Sequence, residues 1–308
     1  MCDLTKPHFQ SADKAREYLE ELRWNGNPVC PHCGDSGAYA ISGGRKGLYK
    51  CKSCRKQYTV TVGTVFENSR VPLNKWLMAT YLMASSKKGI SAKQLERTLG
   101  VTYKTAWFMS HRIREAMKED TSGPMGGEGK TVEVDETFFG RDKTIKPKRT
   151  KKGRGYHHKY KVLSLVEREG KVRSRHVPAV NANTLRPILD EQIDKATQVY
   201  TDEAAQYTMA KPAMFAKHDY VSHSKYEFCR GDVNTNMIEG FFSIFKRGMN
   251  GVYQHCSKEH LQRYLVEFDF RYNYREKLGY DDPERANMIL KGIQGKRLTY
   301  KGPVQAQA

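Results

Sequence analysis

The chain has 308 residues, of which 38% are apolar, and 53 Lys and Arg against 34 Asp and Glu give it a formal net charge of +19. This length predicts two or three domains with a real core, and so basic a chain favours a polyanionic partner, most often nucleic acid, over a membrane. The sequence lacks the roughly 18 apolar residues in a row that would span a bilayer, and the N-terminus lacks signal-peptide features. Seven cysteines, an odd number with four in CxxC spacing, argue against a secreted disulfide framework and predict a reducing, cytoplasmic compartment.

Two cysteine pairs follow a predicted amphipathic helix at residues 8–24. Cys30 and Cys33 form one CxxC pair, Cys51 and Cys54 form the other, and seventeen residues separate the pairs. Each pair presents two thiolates from one tight turn, and four thiolates suit a tetrahedral zinc ion. We therefore predict a zinc ribbon, with Zn²⁺ in a structural role, within an N-terminal region of residues 1–68.

The next region, residues 69–120, has a helical pattern. Helices are predicted from Leu73, over 92–99 and again after Thr102, with Gly100 ending the second one. A helix, a glycine-containing turn and a second helix are typical of a helix-turn-helix DNA reader. The third helix is expected to expose basic side chains that contact bases, and the candidates are Lys104, His111, Arg112 and Arg114.

A Gly-rich stretch at 121–130 predicts a linker, which separates the helical region from an α/β domain at 131–280 and a C-terminal tail at 281–308. In this domain strands are predicted at 131–139, 160–167, 171–178, 198–202 and 219–222, and helices at 183–194, 204–216, 236–248 and 257–275. Three strands followed by alternating helices and strands are typical of a ribonuclease-H-like domain. The predicted fold class is thus α/β and multidomain.

Three separated segments each contain an acidic residue within or beside an apolar stretch. Asp135 and Asp202 lie on predicted strands, and Glu239 lies near the start of a predicted helix. A buried carboxylate is costly unless it is paired or binds a metal, and carboxylates that converge suit hard divalent cations. Two such ions can clamp the attacking and leaving oxygens of a phosphoryl transfer. Glu133, two residues before Asp135 and on the same face of its strand, could assist that residue.

The sequence resembles the DDE transposases of bacterial insertion sequences that carry an N-terminal zinc ribbon, the ISXO-like group of the insertion sequence 1595 family. The resemblance rests on the four cysteines, on the strands around Asp135 and Asp202, and on the stretch from Asn234 to Gly248 with the helix that follows it. It implies a ribonuclease-H-like domain that cuts and joins the ends of the element with two Mg²⁺ ions, which Mn²⁺ can replace.

Carried over by position, the resemblance implies that Asp135, Asp202 and Glu239 are the catalytic, magnesium-binding acids. Some members have Asn in place of the third acid, and Asn236 lies one helical turn before Glu239, so Asn236 remains an alternative third ligand. Lys246 lies two turns after Glu239, where the family places a basic residue against DNA, and we include the adjacent Arg247 in this predicted contact.

A strongly basic segment lies between the first two strands of the α/β domain. The segment 143–161 holds nine Lys and Arg and no acid. Such a run is commonly a solvated loop, but beside a carboxylate cluster that repels phosphates we predict that it contacts DNA. The residues proposed to do so are Lys148, Arg149, Lys151 and Lys152.

The function predicted from the sequence is that of a DNA transposase. It would bind double-stranded DNA, both the terminal inverted repeats and the target, as a homodimer or larger assembly in the nucleoid. Two alternatives remain, a non-catalytic DNA-binding regulator built on the ribbon and the helix-turn-helix, and a metal-dependent nuclease that cuts without joining.

Overall fold

The computed structural model describes residues 4–121, 123–146, 149–150, 153–154, 156–204, 207 and 215–299, with only the backbone of 149–150 and 153–154. The chain forms two compact units. One comprises the residues up to Glu119 together with those from Gly279 onward, and the other comprises Asp120–Leu278. No helix within the described ranges has the length and apolar character needed to cross a bilayer.

The first unit begins with two helices and a small sheet. The elements are α1 (Pro7–Gln10), α2 (Ala12–Trp24), β1 (Ala38–Ala40), β2 (Tyr49–Cys51) and β3 (Gln57–Tyr58), and the strands pair antiparallel in the order β1-β2-β3. The single helix predicted at 8–24 is interrupted because Ser11 has an extended backbone. Helix α2 buries Ala15, Leu19 and Trp24, as its amphipathic pattern predicts.

Three further helices follow, namely α3 (Leu73–Ser85), α4 (Ala92–Leu99) and α5 (Tyr103–Met117). Helix α4 ends at Gly100, which adopts the left-handed conformation that favours glycine. Helix α5 begins at Thr102, whose side-chain oxygen accepts a hydrogen bond from the Thr105 N–H. The turn from Gly100 to Thr102 therefore joins two packed helices.

The second unit is built on a five-stranded mixed sheet. Its strands are β4 (Thr131–Phe139), β7 (Tyr160–Glu167), β8 (Val172–Val177), β9 (Gln198–Asp202) and β10 (Lys217–Val221), in the order β10-β9-β4-β7-β8. Strands β10, β9 and β4 run parallel, while β7 and β8 are antiparallel to their neighbours. Between β4 and β7, a hairpin of β5 (Arg149–Thr150) and β6 (Gly153–Arg154) lies in the basic segment.

Helices cover both faces of this sheet. Helix α6 (Ala182–Gln192) packs on one face, and α7 (Asn236–Gly248) and α8 (Lys258–Asn273) contribute to the core on the other. Because side chains alternate along a strand, Val132 and Val134 of β4 point toward α6. Glu133 and Asp135 therefore lie on the face that α7 covers.

Two regions differ from the boundaries that the sequence predicts. In the expected tail, Asp281 and Glu284 form a capping box that starts α9 (Asp282–Lys291), and this helix packs against α3 in the first unit. In the expected linker, Met125 is buried and pairs with Ile193 as an isolated bridge of the second unit. Residues 300–308 lie outside the described residues.

Candidate active site

The four cysteines of the first unit form one cluster. Their sulfur atoms all lie within 4.8 Å of one another, with Cys30 Sγ 3.6 Å from Cys54 Sγ and Cys33 Sγ 3.6 Å from Cys51 Sγ. Burial opposes ionisation of Cys30, but the N–H groups of His32 and Cys33 and the neighbouring thiols lower its pKa to about 7. Four sulfurs at this spacing suit a tetrahedral zinc ion, so the cluster indicates a structural zinc site.

In the second unit, strand register brings the first two predicted acids together. Strands β4 and β9 pair in parallel, with Thr131 opposite Gln198 and Glu133 opposite Tyr200. The same offset carried two residues further places Asp135 beside Asp202, on the same face and at the same end of the sheet. The amide of Glu136 donates to Asp135 Oδ1 over 2.7 Å.

The third predicted acid comes from helix α7, which lies over that face. Glu239 is in the first turn of the helix and is exposed to solvent. The Thr235 hydroxyl donates to Glu239 Oε1 over 3.0 Å, and His223 Nε2 lies 3.5 Å from the same oxygen. The structure thus places the His223 ring against the Glu239 carboxylate.

Loss of solvation and neighbouring charges shift the pKa values of the two aspartates. Burial raises the pKa of Asp135 to about 8, and the negative charges of Glu136, Asp202 and Glu239 add to this rise. Burial also raises the pKa of Asp202, against the lowering effect of the Ala204 amide and of His223. Among the described residues, no Lys or Arg forms an ion pair with Asp135, so its ionised form has no protein cation to offset its burial.

The spacing of the three acids bears on which metal arrangement they fit. Among the described residues, the four cysteines are the only group of three or more His, Cys, Asp or Glu side chains whose ligand atoms all lie within 4.8 Å of one another. At least one pair of the acidic oxygens is therefore farther apart, whereas two oxygens on one Mg²⁺ lie at most about 4.2 Å apart. Two ions about 3.5–4 Å apart span a wider set of ligands. Carboxylate oxygens are ligands that suit Mg²⁺ or Mn²⁺, and the spacing of these acids is compatible with two ions.

A buried carboxylate joins the strand of Asp135 to the helix of Glu239. Glu133 is fully buried, and Arg168 Nε donates to its Oε1 over 2.9 Å. The amides of Met237 and Ile238, in the first turn of α7, donate to Oε2 over 2.9 and 3.1 Å. Arg168 also donates to the carbonyl oxygen of Asn234 over 3.1 Å. Glu133 therefore caps α7 and is paired with Arg168, instead of standing free to assist Asp135. Alternation along β4 predicts its face, but its partners lie too far along the chain to be found from sequence.

The exposed stripe of α7 carries the remaining predicted residues. Asn236, Glu239, Ser243, Lys246 and Arg247 are all exposed, at spacings that align them along one side of the helix. Lys246 and Arg247 thus lie on the same side as Glu239, up to two turns away. Asn236 is the first residue of the helix, and its backbone N–H donates a hydrogen bond to Asn234 Oδ1 over 3.3 Å.

The residues predicted to read DNA bases divide into two groups. Lys104 is exposed in the first turn of α5. The expectation that His111, Arg112 and Arg114 are exposed is wrong, since all three are buried. Arg112 donates to the carbonyl oxygens of Leu298 and Glu67, and these bonds hold its guanidinium inside the first unit, away from any base edge.

Most of the predicted phosphate contacts of the basic segment cannot be placed. Lys148, Lys151 and Lys152 lie outside the described residues, and Arg149 is described only in its backbone, on β5. These four residues therefore stay a prediction.

Comparisons with known proteins agree with the two-unit organisation. Residues 125–273 match the model of the ISXO2-like transposase domain, and residues 10–57 match that of the transposase zinc-ribbon domain. The chain is 29% identical over 283 residues to an "Uncharacterized protein in transposable element ISH50" of Halobacterium salinarum, across 85% of this chain and 91% of that protein. It is 33% identical over 109 residues to an "Uncharacterized transposase-like protein" of Haemophilus influenzae, across 34% of this chain and 84% of that protein.

Proposed function

Because the chain belongs to the ISXO2-like family of insertion-sequence transposases, we propose that it binds the terminal inverted repeats of its element and cleaves and joins DNA strands in a metal-dependent reaction. The observation that carries the proposal is the environment of Asp135. This carboxylate is half-buried, its pKa is raised to about 8 first by loss of solvation and then by neighbouring acids, and no described Lys or Arg pairs with it. A carboxylate in this environment destabilises the fold, and such carboxylates are typical of sites that bind a cation.

Asp135, Asp202 and Glu239 are the residues that would hold the metal ions. When bound, two Mg²⁺ ions supply the charge that stabilises the attacking and leaving oxygens of the phosphoryl transfer. The protein contributes placement: paired strands align the two aspartates, and Thr235 orients the Glu239 carboxylate. We favour Glu239 over Asn236 as the third ligand because an amide oxygen carries no negative charge and holds Mg²⁺ less well than a carboxylate.

The surrounding surfaces fit DNA as substrate. Lys246 and Arg247 continue the exposed stripe of Glu239, where they would hold phosphates next to the reacting bond. In the first unit, α4, the turn after it and α5 fit a helix-turn-helix, which with the zinc ribbon would recognise the element ends. The strand order β10-β9-β4-β7-β8, with helices on both faces, fits a ribonuclease-H-like catalytic domain.

A strand-transfer assay on labelled element ends tests the proposal. Asp135→Ala, Asp202→Ala and Glu239→Ala should abolish cleavage and joining in Mg²⁺ and leave binding to the ends nearly intact, because these residues hold ions and do not read bases. Asn236→Ala should only impair the reaction.

Each alternative has its own outcome in this assay. Near-normal strand transfer by either aspartate variant would refute the active site, and a dead Asn236→Ala beside an active Glu239→Ala would move the third ligand to Asn236. Wild-type protein that binds the ends without cutting them would be a regulator, and wild-type protein that cuts without joining would be a nuclease.

A further inference from the structure

Two aromatic side chains stand exposed in the segment that follows β10. Tyr226 keeps 85% of its surface exposed and Phe228 keeps 58%, the largest exposed fractions among the large hydrophobic side chains of the described residues. Exposed apolar surface of this kind is typical of a contact site, because burying it in the fold would stabilise the protein.

The segment is held in a defined shape that points both rings outward. Glu227, the residue between them, is tied to Ser222 twice: its N–H donates to the Ser222 carbonyl over 3.0 Å, and its carboxylate accepts from the Ser222 N–H over 3.2 Å. A bridge between Arg230 and Val233 closes the segment. Tyr226 itself has φ +59°, a left-handed conformation that a non-glycine residue rarely adopts. The rings are thus presented by a fixed loop.

This aromatic pair borders the candidate catalytic acids. The Phe228 ring lies 5.3 Å from the His223 ring, measured between centroids, and His223 Nε2 lies 3.5 Å from Glu239 Oε1. A single side chain therefore separates Phe228 from a carboxylate of the site. Lys225, which is exposed next to Tyr226, adds a positive charge at the same edge.

We propose that Tyr226 and Phe228 form a stacking platform for unpaired DNA bases beside the phosphodiester that the active site cleaves or joins. The proposal rests on the proposed function, since it is Glu239 that places this edge next to the reacting phosphate. Flat, exposed rings bind the face that every base presents, so the platform tolerates any sequence. Bases that are unpaired at a cut DNA end lose their stacking partners, and stacking on protein rings would offset part of that loss.

The test compares the full chain's affinity for two single-stranded oligonucleotides of equal length, one with bases and one abasic, in EDTA. Phosphate contacts made anywhere on the protein are the same for both, so the ratio of the two affinities isolates base stacking. The variant Tyr226→Ala/Phe228→Ala should lower that ratio by about 5- to 150-fold for each stacked base. The ring-preserving variant Tyr226→Phe/Phe228→Tyr should keep the wild-type ratio.

A wild-type ratio in the alanine double variant would overturn the proposal. If that variant also lost self-association in sedimentation, the aromatic pair would belong to an interface with a second copy of the chain. Because the assay contains no metal and measures no cleavage, failure of the catalytic proposal would leave this ratio untouched.

Discussion

Replacement of Glu133 tests whether the capping of α7 matters for the chemistry. Glu133→Ala removes the partner of Arg168 and the acceptor of two helix amides in a fully buried position. Breaking a buried ion pair from one side costs about 3–5 kcal/mol, and we expect about 3 kcal/mol here, since Arg168 keeps 25% of its side chain exposed and can rehydrate. Glu133→Gln retains an acceptor oxygen but loses the charge, so we expect a loss of about 1–2 kcal/mol.

The informative variant is Glu133→Gln, which should remain folded because domains are stable by about 5–15 kcal/mol. If the cap sets the position of Glu239 relative to Asp135, the variant needs more Mg²⁺ to reach half-maximal strand cleavage. Its binding to the element ends should be unchanged. Urea unfolding without metal measures the loss of unfolding free energy. A Mg²⁺ titration of cleavage on labelled duplex ends measures the change in the Mg²⁺ requirement.

Glu167 offers a matched control for a carboxylate with a purely structural role. It pairs with Lys130 over 2.9 Å and accepts from the Gly126 amide over 3.1 Å, but none of its described partners is on α7. Glu167→Gln should lower stability and leave the Mg²⁺ requirement unchanged. If Glu133→Gln behaved in the same way, the cap would stabilise the fold without positioning the site, and our reasoning would be refuted.

Four other changes probe the zinc centre, the Asp135 carboxylate and the use of charge. Cys51→Ser should release zinc and unfold the ribbon over about residues 28–62, because ribbon folding is coupled to metal binding; metal analysis and circular dichroism measure this. Burial and nearby acids raise the pKa of Asp135 to about 8, above its unfolded value of 3.8, so stability without metal should fall as pH rises between these values. Asp135→Asn should remove that part of the fall in thermal unfolding with EDTA. Neutralising the basic segment 143–161 should weaken binding to all DNA and flatten its salt dependence by roughly 0.9 in log–log slope per lost phosphate contact. Lys104→Ala should instead cost about 1–3 kcal/mol on the cognate end alone.

Each of these predictions has an outcome that contradicts it. Purified wild-type protein without zinc would remove the metal assignment, and the unfolding temperature of the second unit should be the same in Cys51→Ser as in wild type. An equal pH dependence in Asp135→Asn and wild type would show that this carboxylate is not the group that titrates. The variant of the basic segment could lose affinity for the cognate end alone, or Lys104→Ala could lose affinity for all DNA. Either result would mean that phosphate contact and base reading were assigned to the wrong elements.

Local patterns in the sequence predict much of the fold. Strand β4, strand β7 and helix α7 have the predicted bounds, because regular alternation and helical spacing of apolar residues mark them. The cysteine cluster was also predictable, since paired CxxC spacing constrains four sulfurs to one site. These features depend on residues that are near one another in the chain.

The features that were missed depend on distant residues. Arg112 was expected on an exposed face because α5 alone gives no sign that Leu298 and Glu67 come to cover it. The sequence analysis set residues 281–308 apart as a tail and did not predict α9, a short helix that is marginal until it packs against α3. Glu133 lies on the same face of β4 as Asp135 and has similar neighbours in the sequence. Only the fold shows that Arg168, which follows β7, pairs with Glu133 and not with Asp135.

That contrast between two carboxylates on one strand separates structure from function in the site. Glu133 and Asp135 lie two residues apart on β4, and both are acidic. Each loses solvation in the fold, so each carries a desolvation cost that the fold must offset. For Glu133 the protein supplies the offset itself, with a guanidinium and two helix amides, and the carboxylate then holds α7 in place. For Asp135 the described residues supply one amide and three further negative charges. An acid left in that state raises the free energy of the metal-free protein, and a divalent cation is the partner that would remove the cost. Under the proposed function, the lack of a Lys or Arg partner for Asp135 among the described residues leaves this carboxylate available to a metal ion, and the Glu133 cap would hold Glu239 near it.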